Sequence, residues 1–395
     1  MKKNSNIFLA RILSLYRFSS NAIFYAPIVV LYFKDAFENE LKSYILISAY
    51  TLTITIFEIP SGIFADVKGN YKALILGLFL SAGGTALLIV NSNFLIVLFG
   101  QILVGIGLSL KSGAESAFIR KVAGLPEQYQ KIEARSAGFR YISLAVSSIL
   151  GAQLFVTNYR LPFIITSLFL LFSSALLSLL PSSSDSDGRR SKDNIYRDMV
   201  SVFKLDFQFS LTFLFLTTIG GIMGLMYWTY ALYLEEINYS IELIGVTFAL
   251  LFIASSAGSF FAQYITRLSL KTTTFYTLCF VLSLVVICYG IVTSRTGVIL
   301  IYLTQFLTGI IGPFSIMFVQ QHIHDSVRAS ILSISSLCTR ALQSLFILLF
   351  GVVHHSYSLS TAYFSLGISS IIILLIFLSL SKVGPRSLEF GKVVK

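Results

Sequence analysis

Apolar residues along the chain gather into long blocks, and short polar connectors separate one block from the next. A helix needs roughly 20 mostly apolar residues to cross about 30 Å of hydrocarbon. Twelve blocks meet that length, near residues 7–33, 43–65, 72–91, 93–119, 135–156, 161–180, 208–233, 241–265, 273–292, 297–320, 330–353 and 360–381. The pattern predicts an all-α integral membrane fold with twelve transmembrane helices.

The longest polar segment, PSSSDSDGRRSKDNIYRDMVSVFKLDF at 181–207, falls between the sixth and seventh blocks. It divides the chain into a six-helix bundle over 1–180, a cytoplasmic linker over 181–207, and a second six-helix bundle over 208–395 with a short basic tail. Two signals recur across this divide. Gly62 near the end of the second block returns as Gly258 in the eighth, and ARSAG at 134–138 returns as VRASI at 327–331, offsets of 196 and 193. Similar offsets from independent places point to two pseudo-symmetric halves, an organisation several transporter folds share.

Composition agrees with this reading. The chain is 55% hydrophobic and only 12% charged, with a mean hydropathy of +0.82, against about 25% charged residues in a soluble domain. The net charge of +11 raises the question of nucleic acid, and its distribution answers it. With the N-terminus placed in the cytoplasm, 20 Lys and Arg residues fall on cytoplasmic segments and four, Lys34, Lys42, Arg160 and Arg295, fall outside. That is the positive-inside bias. It sets both termini in the cytoplasm, implies a multi-pass protein of the cell inner membrane, and leaves the bilayer rather than nucleic acid as the partner of the charge. The first block carries Arg11 and Arg17, is too long for a signal peptide and lacks a small-residue cleavage site, so it reads as a retained helix.

Cys279, Cys288 and Cys338 are an odd number without metal-ligand spacing and read as packing residues. His322 and His324 read as loop residues. No nucleotide cradle and no nucleophile elbow appears, so no cofactor and no metal is expected. An integral-membrane enzyme would need convergent acids, histidines or metal ligands at one depth, and every histidine lies at a helix end.

One connector stands out: EIPSGIFADVKGNYK, residues 58–72, sets Glu58, Pro60, Gly62, Asp66, Lys68, Gly69 and Lys72 beside hydrocarbon. Gly62 would let helix backbones approach closely, and Gly69 permits a turn with positive φ. Asp66 can accept hydrogen bonds from the open N–H groups of a neighbouring helix start, where the macrodipole favours an anion. The segment resembles the loop between helices 2 and 3 of the major facilitator superfamily, with Gly62, Ala65, Asp66 and Gly69 matching and positive charge surviving at Lys68 and Lys72. Both EIPSG and GIGLSLKSGAESAFI at 105–119 are similar to bacterial drug-efflux members, although Gln101 stands where proton antiporters often carry arginine. The resemblance implies the twelve-helix fold of that superfamily and a secondary transporter working by alternating access. It also makes Asp66 a cytoplasmic latch, with Arg120 and Arg328 as its candidate partners.

Ionisable residues inside the membrane cost about 2.5–3.5 kcal/mol each on insertion scales and mark function by default. At about 1.5 Å per residue, Arg17 and Arg340 lie near mid-membrane, where such transporters bind substrate; Arg140 is shallower. Asn21, Gln305 and the pair Tyr227 and Tyr230, three apart on one face, complete the expected substrate contacts. Tyr233 and Trp228 read as an interfacial aromatic belt. Lys111 and Glu115, four apart on one helix face, are expected to pair, with Glu115 or Glu58 carrying a coupling proton. Cations outnumber acids within the helices, so the expected cargo is a small anionic or amphipathic organic compound, such as a drug or a siderophore-like metabolite. The expectation is a monomer exporting it against protons, with import of a small anion as the alternative.

Overall fold

The computed structural model describes residues 2–90, 93–123, 126–180, 207–267, 272–321 and 325–381, so the expected linker and basic tail lie outside the described residues. The described residues form thirteen α-helices: α1 (Lys2–Ser20), α2 (Val29–Phe37), α3 (Glu40–Lys68), α4 (Asn70–Leu87), α5 (Phe94–Ala123), α6 (Pro126–Thr157), α7 (Leu161–Ser178), α8 (Phe207–Glu236), α9 (Ile241–Arg267), α10 (Thr272–Tyr289), α11 (Val298–Gln321), α12 (Asp325–Ser356) and α13 (Leu359–Ser381). One 3-10 turn, Arg295–Gly297, precedes α11. Among the described residues nine helices are long and apolar enough to cross a membrane alone. The other three expected spans are α4, α10 and the broken pair α1 and α2.

The chain clusters into two units, Met1–Arg190 with Ser240–Ala249 and Ser191–Tyr239 with Leu250–Lys395. In the first, α4 and α5 meet through glycines in antiparallel register. A Cβ on Gly77 would stand 2.7 Å from the Gly107 carbonyl oxygen, and one on Gly84 would stand 2.6 Å from that of Gly100. Lipid tails are as apolar as leucine, so membrane helices associate through close packing, and small residues permit it. A core of Leu13, Tyr16, Leu74, Leu78, Phe118 and Leu177 fills the space behind this contact. In the second unit α8 meets α12 in the same way, with Gly220 against Thr339 and Gly221 and Gly224 against Gln343.

Gly62 does not have the role expected of it, because a Cβ there would meet nothing within 4 Å. Its counterpart Gly258 lies against the Phe306 carbonyl and Gly309, so close approach at this pair of positions is made in the second unit. Gly69 does have its expected conformation, φ +92°. Its N–H donates to the Ala65 carbonyl at 2.9 Å and its carbonyl accepts from the Ala73 N–H at 3.2 Å. One residue thus ends α3 and begins α4.

Candidate functional site: a buried charge set at a broken helix

The first span is broken because its sequence, FSSNAIFYAPI, ends one helix and delays the next. Pro27 lacks an N–H, and the Asn21 side chain competes with the backbone for hydrogen bonds. A helix end inside a membrane exposes four carbonyls that water cannot reach, and each of the four at the end of α1 is answered. Asn21 Nδ2 donates to the Arg17 carbonyl at 2.8 Å. The Phe18 carbonyl accepts from the Asn21 N–H at 3.3 Å and from the Ser143 hydroxyl of α6. The Ser19 carbonyl accepts from the Ala22 N–H at 3.3 Å. The Ser20 carbonyl accepts from Lys111 Nζ of α5 at 2.8 Å. Farther along the break, the Phe24 N–H donates to Thr166 Oγ1 of α7 at 3.0 Å.

Arg17 sits in the last turn of α1 and is 3% exposed. Its Nη2 donates to Glu133 of α6, at 3.0 Å to Oε1 and 3.1 Å to Oε2. Its Nε stands 3.5 Å from Glu115 Oε1 of α5. Together with Lys111, two cations and two carboxylates from three helices of one unit form a set whose formal charges cancel. Arg17 Nε and Glu115 Oε1 are both buried and meet as an ion pair without a hydrogen bond.

The expected Lys111–Glu115 pair is not made. Lys111 turns to the Ser20 carbonyl, which would otherwise be orphaned, and Glu115 turns to Arg17. Asn21 closes the helix end, its amide nitrogen donating to the Arg17 carbonyl and to Ser20 Oγ. Arg140 is exposed on α6, 5.9 Å from the Tyr141 ring, and its charge reaches Lys111. Glu58 is partly buried on α3, its carbonyl accepting from the Ser61 hydroxyl at 3.0 Å. Sequence reading missed Glu133, because it began the fifth span at 135 whereas α6 begins at Pro126.

In the second unit Tyr230 and Gln305 come together, with Nε2 donating to the tyrosine hydroxyl at 3.2 Å. They belong to a packed tyrosine group. Tyr289 stacks on Tyr363 at 5.0 Å and meets Tyr233 edge-on at 4.7 Å. The Tyr289 hydroxyl pairs with Thr304 Oγ1 at 3.0 Å, and Tyr363 donates to the Thr229 carbonyl at 3.1 Å. Tyr233 is therefore not a belt residue: it is 2% exposed and its hydroxyl donates to the Val292 carbonyl at 2.7 Å. Tyr230 is wholly buried while Tyr227, partly exposed, sets its ring edge-on to Trp228. Arg340 is partly exposed on α12, next to the Thr339 that faces Gly220.

On the segment expected to gate, Asp66, Lys68 and Lys72 are exposed. Among the described residues the Asp66 carboxylate makes no ion pair. Arg120, one expected partner, instead lies 5.3 Å over the Tyr129 ring. The side chain of the other, Arg328, lies outside the described residues.

The sequence profile described as Major Facilitator Superfamily matches residues 7–346. The chain belongs to that superfamily. It is accordingly a multi-pass membrane transporter and not an enzyme, and the superfamily's members handle small molecules, often with protons. An uncharacterized transporter of Buchnera aphidicola subsp. Schizaphis graminum (strain Sg) is 25% identical over 170 residues, 42% of this chain and 42% of that protein's own length. The crystal structure of the nucleoside transporter NupG superposes with a TM-score of 0.77 at 13% identity, covering 95% of this chain and 99% of that one. A D-xylose-proton symporter gives 0.73 at 13% identity, covering 98% and 99%. A bacterial homolog of the human lysosomal transporter Spinster gives 0.71 at 12% identity, covering 96% and 95%. At such identities the likeness speaks for the superfamily's twelve-helix fold and leaves the cargo open.

Proposed function

We propose that the protein is a proton-linked secondary transporter of a small organic anion, working by alternating access in the cell inner membrane with both termini in the cytoplasm. The observation that carries this reading is Arg17, buried in the first span and held by Glu133 at 3.0 Å. Arginine keeps its charge at every accessible pH, so the carboxylates are the groups able to take up a proton. A proton on Glu133 cancels the charge that holds Arg17 and frees the guanidinium for the carboxylate of a substrate. An anion on Arg17 in turn leaves Glu133 without its cation and ready to accept a proton. Proton and anion then cross together, and an inward proton gradient drives import.

Export of a drug or siderophore-like compound by proton antiport is the second reading. It is favoured by the efflux-like segments EIPSG and GIGLSLKSGAESAFI. Antiport needs proton and cargo to exclude each other, as a cationic cargo competing for Glu115 and Glu133 would do. The two readings part in proteoliposomes loaded with a pH-sensitive dye and offered a panel of organic anions and cations from outside. Acidification of the lumen by an anion supports co-transport. Alkalinisation on cation entry, with no response to any anion, supports antiport and overturns the first reading.

A further inference from the structure

Three of the four carbonyls that end α1 are answered by neutral donors, namely the Asn21 amide, backbone N–H groups and the Ser143 hydroxyl. The fourth, on Ser20, is answered by a full charge. Lys111 is 8% exposed, and an ammonium is far more costly to bury than an amide or hydroxyl that would satisfy a carbonyl equally well. Its charge therefore has a use that a hydrogen bond alone does not explain. The end of a helix carries roughly half a negative charge, and Glu115 stands one turn along α5 from the lysine. In membrane proteins with discontinuous helices, such carboxyl ends and unwound carbonyls are the groups that hold a coupling metal cation.

We infer that Lys111 is a tethered stand-in for a monovalent metal cation at the break of the first span, its ammonium set against the Ser20 carbonyl at 2.8 Å, on the helix that carries Glu115 one turn further along. The charge of Lys111, rather than its hydrogen bond, keeps α1 ended at Ser20. The protein then works without sodium or lithium. Cutting the tether back leaves the Ser20 carbonyl open to a small monovalent cation from solution, with the charge of Glu115 acting in its favour and those of Arg17 and Arg140 against it. This is independent of the coupling role proposed for Glu133 and of the direction of transport.

The test uses the full chain in lipid nanodiscs, with sodium as the probe and choline as the inert control at equal ionic strength. The wild type is expected to melt at the same temperature in both salts and to bind no radioactive sodium. Lys111→Ala is expected to melt lower in choline and to regain about 2–4 °C or more in roughly 0.1 M sodium, saturably, as mass action requires. It should also bind sodium, and a second change, Glu115→Gln, should abolish both effects. Equal melting of Lys111→Ala in the two salts, without sodium binding, overturns the inference. Should Lys111→Ala fail to accumulate, Lys111→Arg and Lys111→Gln decide. The arginine variant is expected to accumulate and melt near the wild type and the glutamine variant to fall below it. A glutamine variant equal to the wild type overturns the inference, because it lacks the charge.

Discussion

Replacing Glu133 by glutamine keeps the size of the side chain and removes the charge that holds Arg17. Arg17 is 3% exposed, whereas the Glu133 side chain is 31% exposed, so the pair stands between the two limits measured for ion pairs. Breaking a fully buried pair costs about 3–5 kcal/mol and an exposed pair is worth about 0–1; for this geometry the cost is about 2 kcal/mol. Glu115, 3.5 Å from Arg17 Nε, remains as a partial counter-charge and keeps the value from the upper limit. In a unit of this size, about 1 kcal/mol moves Tm by about 2–4 °C, so Glu133→Gln should melt about 4–8 °C lower. Arg17→Gln should cost more, since it strands two carboxylates. The double variant should then be less destabilised than the sum of the singles, by at least about 0.5 kcal/mol. Thermal melting of the three purified variants measures all of this. A Glu133→Gln variant as stable as the wild type, or strict additivity in the cycle, would refute the claim that these two charges work as a pair.

Other outcomes follow from the packing. Gly84→Ala should destabilise by about 1–3 kcal/mol, as overpacking does, since its Cβ would stand 2.6 Å from the Gly100 carbonyl oxygen. Gly62→Ala, with nothing within 4 Å, should be neutral or stabilising by up to about 1 kcal/mol; melting curves that rank the two the other way would show that the glycine contacts are misassigned. Tyr230→Phe removes the hydroxyl that accepts from Gln305 and should cost about 1–3 kcal/mol, a loss that Gln305→Leu in the same chain should partly recover. Asp66→Asn should change the cytoplasmic accessibility of single cysteines placed on α3 and α12 while leaving Tm nearly unchanged, because the carboxylate is exposed; unchanged labelling would remove Asp66 from any gating role.

The spans were legible in the sequence because hydrocarbon leaves no choice: a backbone inside it must be helical, and about 20 apolar residues mark where. Ends that leave the hydrocarbon carry no such mark, which is why α6 and α12 start ahead of the expected 135 and 330. The start of α6 did have a signal in Pro126 followed by Glu127 at the helix front, and reading it would have brought Glu133 into view. Pro27 likewise marked the break in the first span. What a linear reading could not supply were contacts between elements far apart in the chain. Spacing on α5 alone favoured Lys111 with Glu115, whereas the fold offers the lysine an orphaned carbonyl 91 residues away. The same holds for Tyr233, whose place near a helix end suggested an interface until Tyr289 and Tyr363 enclosed it.

The coupling of protons to an anion through Arg17 and Glu133 is the central claim, and one measurement reaches it most directly. Dye-loaded proteoliposomes carrying wild type or Glu133→Gln are given the anion that acidifies the wild-type lumen, and exchange of the same labelled anion is followed in parallel. The account predicts that Glu133→Gln still exchanges the anion, because Arg17 is free to hold it, but no longer moves protons with it. Proton movement that survives in Glu133→Gln at the wild-type ratio to anion would contradict it.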